Sequence, residues 1–216
     1  TPTDGQVLQD GTFVSSSFVN TSTQTPVGAF GPTCFTPGTL IETPDGPRLI
    51  EALRVGDLIT TLDDGAQPIR LITCDRFRAT ADFAPIRFAV GAIGNDVPLL
   101  VSPQHRMLIT GWQAELYFGQ AEVLVAAKHL VNGHSVSRVL GGTVEYIHLM
   151  FDTHQIVFGG GVPSESYFPE HAMTGQDVDV MDEILALFPE FKATADAGWT
   201  LARPVVRSAE AQVLAV

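Results

Sequence analysis

The stretch Cys34–Thr39, with the sequence CFTPGT, and the stretch Ile50–Ile59, with the sequence IEALRVGDLI, decide the fold of this chain. Upstream of them, residues 1–33 are rich in Thr, Ser, Gly, Pro and Gln, a composition typical of a linker or of the end of a passenger domain. From Cys34 onward, short apolar runs alternate with turn residues, and this pattern predicts strands. A cysteine therefore lies where a flexible segment meets a β domain.

Turn sequences recur through the centre of the chain. Pro44–Gly46 predicts the turn of a hairpin, and Asp63–Gly65 predicts a second turn between two strand-forming runs. Such signals recur about every 8–12 residues, the spacing expected of an all-β sandwich or barrel-like fold. The 20 Gly and 14 Pro agree with many turns. The predicted strands cover residues 39–43, 48–51, 58–62, 69–73, 84–90, 99–101, 106–110, 116–118, 123–126, 145–151 and 155–158.

The last third of the chain has a different pattern. Apolar residues at helical spacing predict a helix over residues 177–188, with acidic residues near its start. A second helix-like stretch covers residues 208–214, and we expect this tail to pack against the β core. The predicted organisation is therefore a flanking segment over residues 1–33, a β domain over 34–168 and a C-terminal extension over 169–216.

The charge and hydropathy of the chain argue against several classes of function. The net charge is −12 and the 12 basic residues are scattered, so we expect no nucleic-acid partner. No apolar run approaches the ~18 residues that a membrane-spanning helix needs, and no signal peptide is visible. No spacing of His or Cys predicts a metal site. We expect a monomer without a cofactor.

Three later stretches, together with the two quoted first, carry a resemblance to a known family. Leu99–His105, with the sequence LLVSPQH, is an apolar strand followed by Ser-x-x-His. Cys74–Arg76 follows a predicted strand, and Asp152–His154 lies in a predicted loop. In this order, over residues 34–168, the stretches resemble the Hint superfamily of Hedgehog C-terminal domains, inteins and bacterial intein-like domains, the last type being the most similar. The resemblance implies an all-β Hint fold of short strands and hairpins, with a short C-terminal helical tail.

The resemblance also implies chemistry at the junction cysteine. By this resemblance, the Cys34 thiol is expected to attack the Thr33 carbonyl and to convert the peptide bond into a thioester. A free thiol has a pKa of about 8.5, so some thiolate is present near neutral pH. The resemblance further implies that His105 protonates the departing Cys34 nitrogen and that Ser102 hydrogen-bonds the scissile peptide. It also implies that Asp75 is a base, either for the Cys34 thiol or for the nucleophile that resolves the thioester.

Each of these assignments has a structural alternative. A lone His in an apolar stretch, such as His105, is more often a satisfied core residue, and Ser102 before a proline is by default a turn former. Asp75 beside Arg76 is also compatible with a surface ion pair of little energetic weight. His154 is a further candidate, which either assists catalysis or orients the last strand.

The chain departs from the splicing members of the superfamily. Inteins end in His-Asn followed by a nucleophile, whereas residues 159–167, after His154, contain no Asn, and Ser102 replaces the family's Thr. We therefore expect cleavage of the Thr33–Cys34 bond without splicing. The substrate is the chain's own N-terminal polypeptide, and water or a small nucleophile resolves the thioester. The alternative is an inactive Hint-fold module that serves as a structural or interaction part of a larger secreted protein.

Two further expectations concern the cysteines and the location of the protein. Two cysteines cannot form a disulfide framework. Because Cys74 adjoins Asp75, a disulfide between Cys34 and Cys74 that masks the nucleophile is a hypothesis. The acidic composition and the export of many bacterial family members lead us to expect a secreted bacterial protein.

Overall fold

Strands dominate the computed structural model, which describes residues 15–18, 33–80, 83–168, 200–206 and 210–214. The described strands are β1 (Ser15–Phe18), β2 (Leu40–Ile41), β3 (Arg48–Leu49), β4 (Leu58–Thr61), β5 (Gly65–Pro68), β6 (Leu71–Arg78), β7 (Ile86–Phe88), β8 (Leu99–Val101), β9 (Arg106–Thr110), β10 (Glu122–Ala126), β11 (Val136–Arg138), β12 (Thr143–Met150), β13 (Ile156–Gly159) and β14 (Val162–Glu165). One short helix, α1, spans Trp112–Phe118, and short 3-10 turns lie at Ile50–Ala52, Ala127–His129 and Ala211–Leu214. The prediction of an all-β fold is confirmed.

The described strands form three sheets. The largest has the order β10-β9-β14-β13-β2-β3, with β4 pairing with β13 and with β5. A second sheet has the order β1-β6-β12, and a third has the order β11-β7-β8. Within the second sheet, β6 and β12 pair antiparallel along their whole length. Antiparallel strands can be joined by turns and loops without a crossover helix, which agrees with the many turn sequences of this chain.

One residue, Phe35, joins the two smaller sheets. It forms an antiparallel bridge with Val101 of β8 and another with Ile147 of β12. The Phe35 N–H donates to the Ile147 carbonyl at 3.0 Å, and the Ile147 N–H donates to the Phe35 carbonyl at 2.9 Å. The segment around residue 35 is thus a short central strand, and its neighbours in the chain are fixed relative to both β8 and β12.

The Phe35 side chain also anchors the main hydrophobic core. It is 2% exposed, and it packs among buried aliphatic residues such as Ile41 of β2 and Val157 of β13. Full burial of such a side chain contributes about 1.5–3 kcal/mol to stability. The ring lies so close to Gly159 that a Cβ atom there would overlap Cε1 of Phe35 and lie 3.0 Å from its Cζ and 3.2 Å from its Cδ1. Glycine at this position therefore lets β13 approach the ring.

The structure corrects several local predictions. Residues 116–118, predicted as a strand, belong to α1, which ends at Gly119 in the left-handed conformation at φ 65°. A short apolar run does not distinguish a helix from a strand, and this explains the error. β6 continues to Arg78, so Asp75 lies within a strand and not after one. Three strands, β5, β11 and β14, lie outside the predicted ones, because polar residues and prolines interrupt their apolar pattern.

Part of the C-terminal extension packs along β10. The Leu124 N–H donates to the Pro204 carbonyl at 2.8 Å, and the Val206 N–H donates to the Leu124 carbonyl at 2.9 Å. Immediately before Pro204, Arg203 forms ion pairs with two acidic side chains of the β domain, Asp63 and Glu122. This described part of the tail therefore lies against β10 of the largest sheet.

The two ends of the chain are described only in part. Within the predicted flank 1–33, β1 pairs antiparallel with β6. The predicted helix over residues 177–188 lies outside the described residues, whereas the 3-10 turn Ala211–Leu214 falls within the helix-like stretch 208–214. Across the described ranges, no helix is long and apolar enough to cross a membrane.

We expect Gly159→Ala to destabilise the protein by about 1–3 kcal/mol, because the new methyl group overlaps the Phe35 ring. In a Phe35→Leu background the ring atoms are gone, so the same substitution should cost much less. Urea unfolding of the two single variants and the double variant measures this non-additivity. An equal cost in both backgrounds would contradict the close approach.

Candidate active site

Cys34 occupies a central position between two strands. Because Phe35 pairs with both β8 and β12, the residue before it lies opposite Ser102 on one side and His148 on the other. Side chains directly opposite each other in antiparallel strands lie on the same face of the sheet. The pairing thus gathers three side chains although Ser102 and His148 are 68 and 114 residues from Cys34.

Ser102 holds the amide of the Thr33–Cys34 bond. The Cys34 N–H donates to Ser102 Oγ at 3.0 Å, and the Ser102 N–H donates to the Cys34 carbonyl at 2.9 Å. The His105 N–H donates to the Ser102 carbonyl at 3.1 Å, which closes a turn. Ser102 is therefore a turn residue, and its fully buried hydroxyl also contacts the scissile amide.

The Cys34 thiol lies beside an imidazole and a carboxylate. Its Sγ is 3.2 Å from Nε2 of His148, and the same nitrogen is 3.5 Å from Oδ2 of Asp75. Asp75 is 1% exposed, and Arg76 pairs with Glu145 instead, so the surface ion pair considered for Asp75 is wrong. A neutral imidazole nitrogen at this distance can take the proton from a thiol, and a carboxylate beside that nitrogen stabilises the imidazolium that results.

The surroundings of the thiol hold it in the protonated form. Burial raises the pKa of the Cys34 thiol well above its ordinary value, and the nearby Asp75 carboxylate raises it further. A hydrogen bond from Ser102 acts in the opposite direction because it stabilises the thiolate. At neutral pH the sulfur therefore needs a base before it can attack a carbonyl.

His105 lies in the core beside Phe35. It is 0% exposed, neither ring nitrogen has a hydrogen-bond partner among the described residues, and its ring centroid lies 4.4 Å from that of Phe35. Burial, with the nearby His148 and Arg106 acting in the same direction, lowers the pKa of His105 to about 3. The imidazole is thus neutral at physiological pH. A satisfied core histidine would have partners, so this alternative does not describe His105.

A second buried cluster centres on Glu165, at the end of β14. Its Oε1 accepts a hydrogen bond from the Arg106 N–H at 2.9 Å and one from the Thr33 hydroxyl at 3.3 Å. Its Oε2 lies 3.3 Å from the Arg106 guanidinium and 3.5 Å from Nε2 of His154. Glu165 is 0% exposed. Thr33, the residue before Cys34, therefore contacts a carboxylate that the sequence patterns did not indicate.

His154 belongs to this second cluster. The Ala202 N–H donates to His154 Nδ1 at 3.0 Å, so the proton of the neutral ring is on Nε2, which faces Glu165. The C-terminal segment thereby sets the tautomer of a buried histidine. Among the predicted site residues, His154 is the one placed beside the carboxylate cluster and not beside the thiol.

Cys74 lies on a different face of the sheet. It pairs with Ile147, whereas Asp75 and His148 point to the other side of β6 and β12. Both cysteines are free thiols, and two strand spacings, about 9.6 Å, separate their strands. The structure therefore does not bring Cys34 and Cys74 together as a disulfide. Burial and the Glu145 carboxylate raise the pKa of Cys74 to about 11.

The structure adds His148 and Glu165 to the predicted site residues. His148 has one visible signal, a histidine inside an otherwise apolar strand, and Glu165 is the one charged residue between Asp152 and Glu170. Neither signal indicates a role without the strand pairing. Within the described ranges, no group of three His, Cys, Asp or Glu side chains is placed to hold a metal ion.

One family match and several similar solved structures relate this chain to known proteins. The protein family described as Hint domain matches residues 33–171, which is more than half of the chain. No match is found among the curated proteins. Among solved structures, the solution structure of a bacterial intein-like domain from Clostridium thermocellum is 14% identical with a TM-score of 0.46, and the match covers 62% of this chain and 99% of that one. The crystal structure of the MchDnaB-1 intein is 16% identical with a TM-score of 0.41, covering 60% and 98%.

The buried neutral His105 makes stability depend on pH. Its pKa falls from 6.5 in the unfolded chain to about 3, so its contribution is complete above pH 6.5 and is lost as pH falls toward 3. Between pH 6.5 and pH 3 the wild type should therefore lose free energy of unfolding, by up to roughly 1.4 kcal/mol per unit of the His105 pKa shift. His105→Leu removes the titrating ring, so its free energy of unfolding, measured with urea, should fall less over the same range. The control His134→Gln changes an exposed histidine and should keep the wild-type pH dependence. Identical profiles for wild type and His105→Leu would contradict the buried neutral ring.

Proposed function

The chain belongs to the Hint domain family, and from this premise we propose that it cleaves its own Thr33–Cys34 peptide bond through a thioester on Cys34, without splicing. The family itself makes the chain an autoprocessing or splicing-related domain. The observation that carries the finer proposal is the double contact of Cys34. Its amide nitrogen is bound to Ser102 Oγ at 3.0 Å, and its sulfur is 3.2 Å from His148 Nε2.

The first step is an N–S acyl shift. Sγ of Cys34 attacks the Thr33 carbonyl carbon through a five-membered ring, so the nucleophile already belongs to the reacting peptide unit. A bond forms between sulfur and the carbonyl carbon, and the bond from that carbon to the Cys34 nitrogen breaks. Nε2 of His148 takes the proton from the thiol, and Asp75, 3.5 Å from the same nitrogen, stabilises the imidazolium that forms. This geometry supports His148 as the base and Asp75 as the residue that stabilises its charged form.

The departing nitrogen must gain a proton, because an amide anion is a poor leaving group. Ser102 holds that nitrogen by its N–H, and we assign to Ser102 the positioning of the leaving group and the stabilisation of the thiolate. His105 is the predicted donor, but a neutral imidazole that gives up its one N–H becomes an imidazolate. We therefore assign the proton that His148 takes from the thiol to the Cys34 nitrogen. The N–H of His105, which has no hydrogen-bond partner among the described residues, is free to hydrogen-bond the transient state of the reaction. Overall the thiol loses one proton and the nitrogen gains one.

The second step is resolution of the thioester by water or a small thiol. Attack on the Thr33 acyl carbon breaks its bond to Cys34 sulfur and releases the polypeptide that ends at Thr33. Splicing needs an Asn that cyclises at the other end of the domain, and Glu165 is followed by Ser166 there, with no Asn between residues 155 and 168. The proposed processing unit is the segment 34–168, and a secreted bacterial protein is its proposed setting.

Intact mass of the freshly purified chain, incubated with and without dithiothreitol, tests the proposal. We expect residues 1–33 to be lost, faster with the thiol, because a second thiol attacks the thioester. Cys34→Ala should abolish the loss. The matched control Cys74→Ala should cleave as the wild type does, since Cys74 lies on the other face of the sheet. A mass that stays unchanged in all chains would sink the proposal and favour an inactive Hint-fold module.

We expect His148→Gln to slow cleavage about 10²–10⁴-fold near neutral pH, because the thiol loses its base. The deficit should shrink from about pH 6 to about pH 9, as hydroxide produces more of the thiolate directly. Cleavage rates from mass spectra at several pH values measure this, with His134→Gln as the control. A deficit that is the same at every pH would assign His148 a structural role only.

A further inference from the structure

A fully buried carboxylate next to the scissile bond has no part in the steps proposed above. Glu165 is 0% exposed, and it lies at the end of β14 where that strand pairs with β9. Fully buried ionised groups are expensive, and apolar residues of similar volume often serve a core equally well. Packing of the core therefore does not explain why position 165 is a glutamate.

The surrounding groups hold the Glu165 carboxylate in one orientation. The Arg106 N–H and guanidinium contact its two oxygens at 2.9 and 3.3 Å. The Nε2 of His154 lies 3.5 Å from Oε2 of Glu165. On the other side of the ring, the Ala202 N–H donates to His154 Nδ1 at 3.0 Å. A charged carboxylate held in this way is a preorganised hydrogen-bond acceptor.

The acceptor is directed at the residue before the scissile bond. Oε1 of Glu165 accepts a hydrogen bond from the Thr33 hydroxyl at 3.3 Å, and Thr33 is partly buried. Thr33 carries the carbonyl that Cys34 attacks, and it stays attached to that carbonyl in the thioester. A bond that anchors its side chain therefore holds the acyl carbon in place through both steps.

On this basis we infer that Glu165, positioned by Arg106 and His154, determines which residue precedes the scissile bond. It selects a short side chain that donates a hydrogen bond, and it rejects an acidic one. This inference rests on the proposed function and adds the substrate preference of the same site. Serine at position 33 keeps the donor. Valine has the shape of threonine but leaves the carboxylate without that partner, and aspartate places two negative charges together.

A cleavage series tests the inference. In the wild-type chain we expect Thr33→Ser to cleave nearly as fast as wild type, Thr33→Val about tenfold slower, and Thr33→Asp slower still. Thr60→Val is the matched control, because it removes a hydroxyl from β4 outside the site and should leave the rate unchanged. Equal rates for Thr33→Ser, Thr33→Val and Thr33→Asp would overturn the inference.

The decisive comparison repeats the series with Glu165→Gln, which keeps the size of the side chain and removes its charge. The rate of Thr33→Asp relative to Thr33→Ser should rise about tenfold or more, because the repulsion is gone. A merely structural Glu165 would lower all the rates together. An unchanged ratio would therefore overturn the role in selection.

A stability measurement separates this inference from the proposed function. In the uncleavable Cys34→Ala chain, Thr33→Asp should lower the urea midpoint, and Glu165→Gln should relieve most of that loss. If the parent chain does not cleave but this relief is seen, the proposed function fails while the contact stands. If the two substitutions are additive in stability, Glu165 does not recognise residue 33, and the inference fails whatever the cleavage result.

Discussion

The pairing of Phe35 with two strands at once is the constraint on which the rest of the structure depends. Its backbone bridges β8 and β12, and its ring fills the core against Gly159. Because the backbone of Phe35 is hydrogen-bonded on both sides, the register of Cys34 is fixed as well. A slip by one residue would move every side chain to the opposite face of the sheet. The nucleophile is therefore placed by the same hydrogen bonds that join the two smaller sheets.

This arrangement concentrates unfavourable groups around one peptide bond. The Cys34 thiol is buried beside Asp75, His105 has no hydrogen-bond partner among the described residues, and Glu165 is fully buried. Each of these features works against stability, because buried polar and charged groups lose their hydration. Buried groups that lower stability in this way are expected where a site needs a protonated thiol, a neutral imidazole and a fixed carboxylate close together.

The C-terminal segment contacts the second buried cluster, the one around Glu165. The tail lies along β10, and the Ala202 N–H reaches Nδ1 of His154. Because this bond leaves the proton of the neutral ring on Nε2, it directs an N–H towards Glu165. A segment that sequence analysis assigned only to packing thus takes part in orienting a carboxylate next to the scissile bond.

Local patterns in the sequence determined most of the strands and turns and the junction cysteine, because alternation of apolar residues and turn chemistry are properties of neighbouring residues. The Ser-x-x-His spacing at Ser102 and His105 is local in the same way. The sequence could not reveal His148 and Glu165 as parts of the site, nor the opposite faces of Cys74 and Asp75. These depend on which strands pair and in which register, and only the tertiary structure decides this, because strand pairing joins residues far apart in the chain.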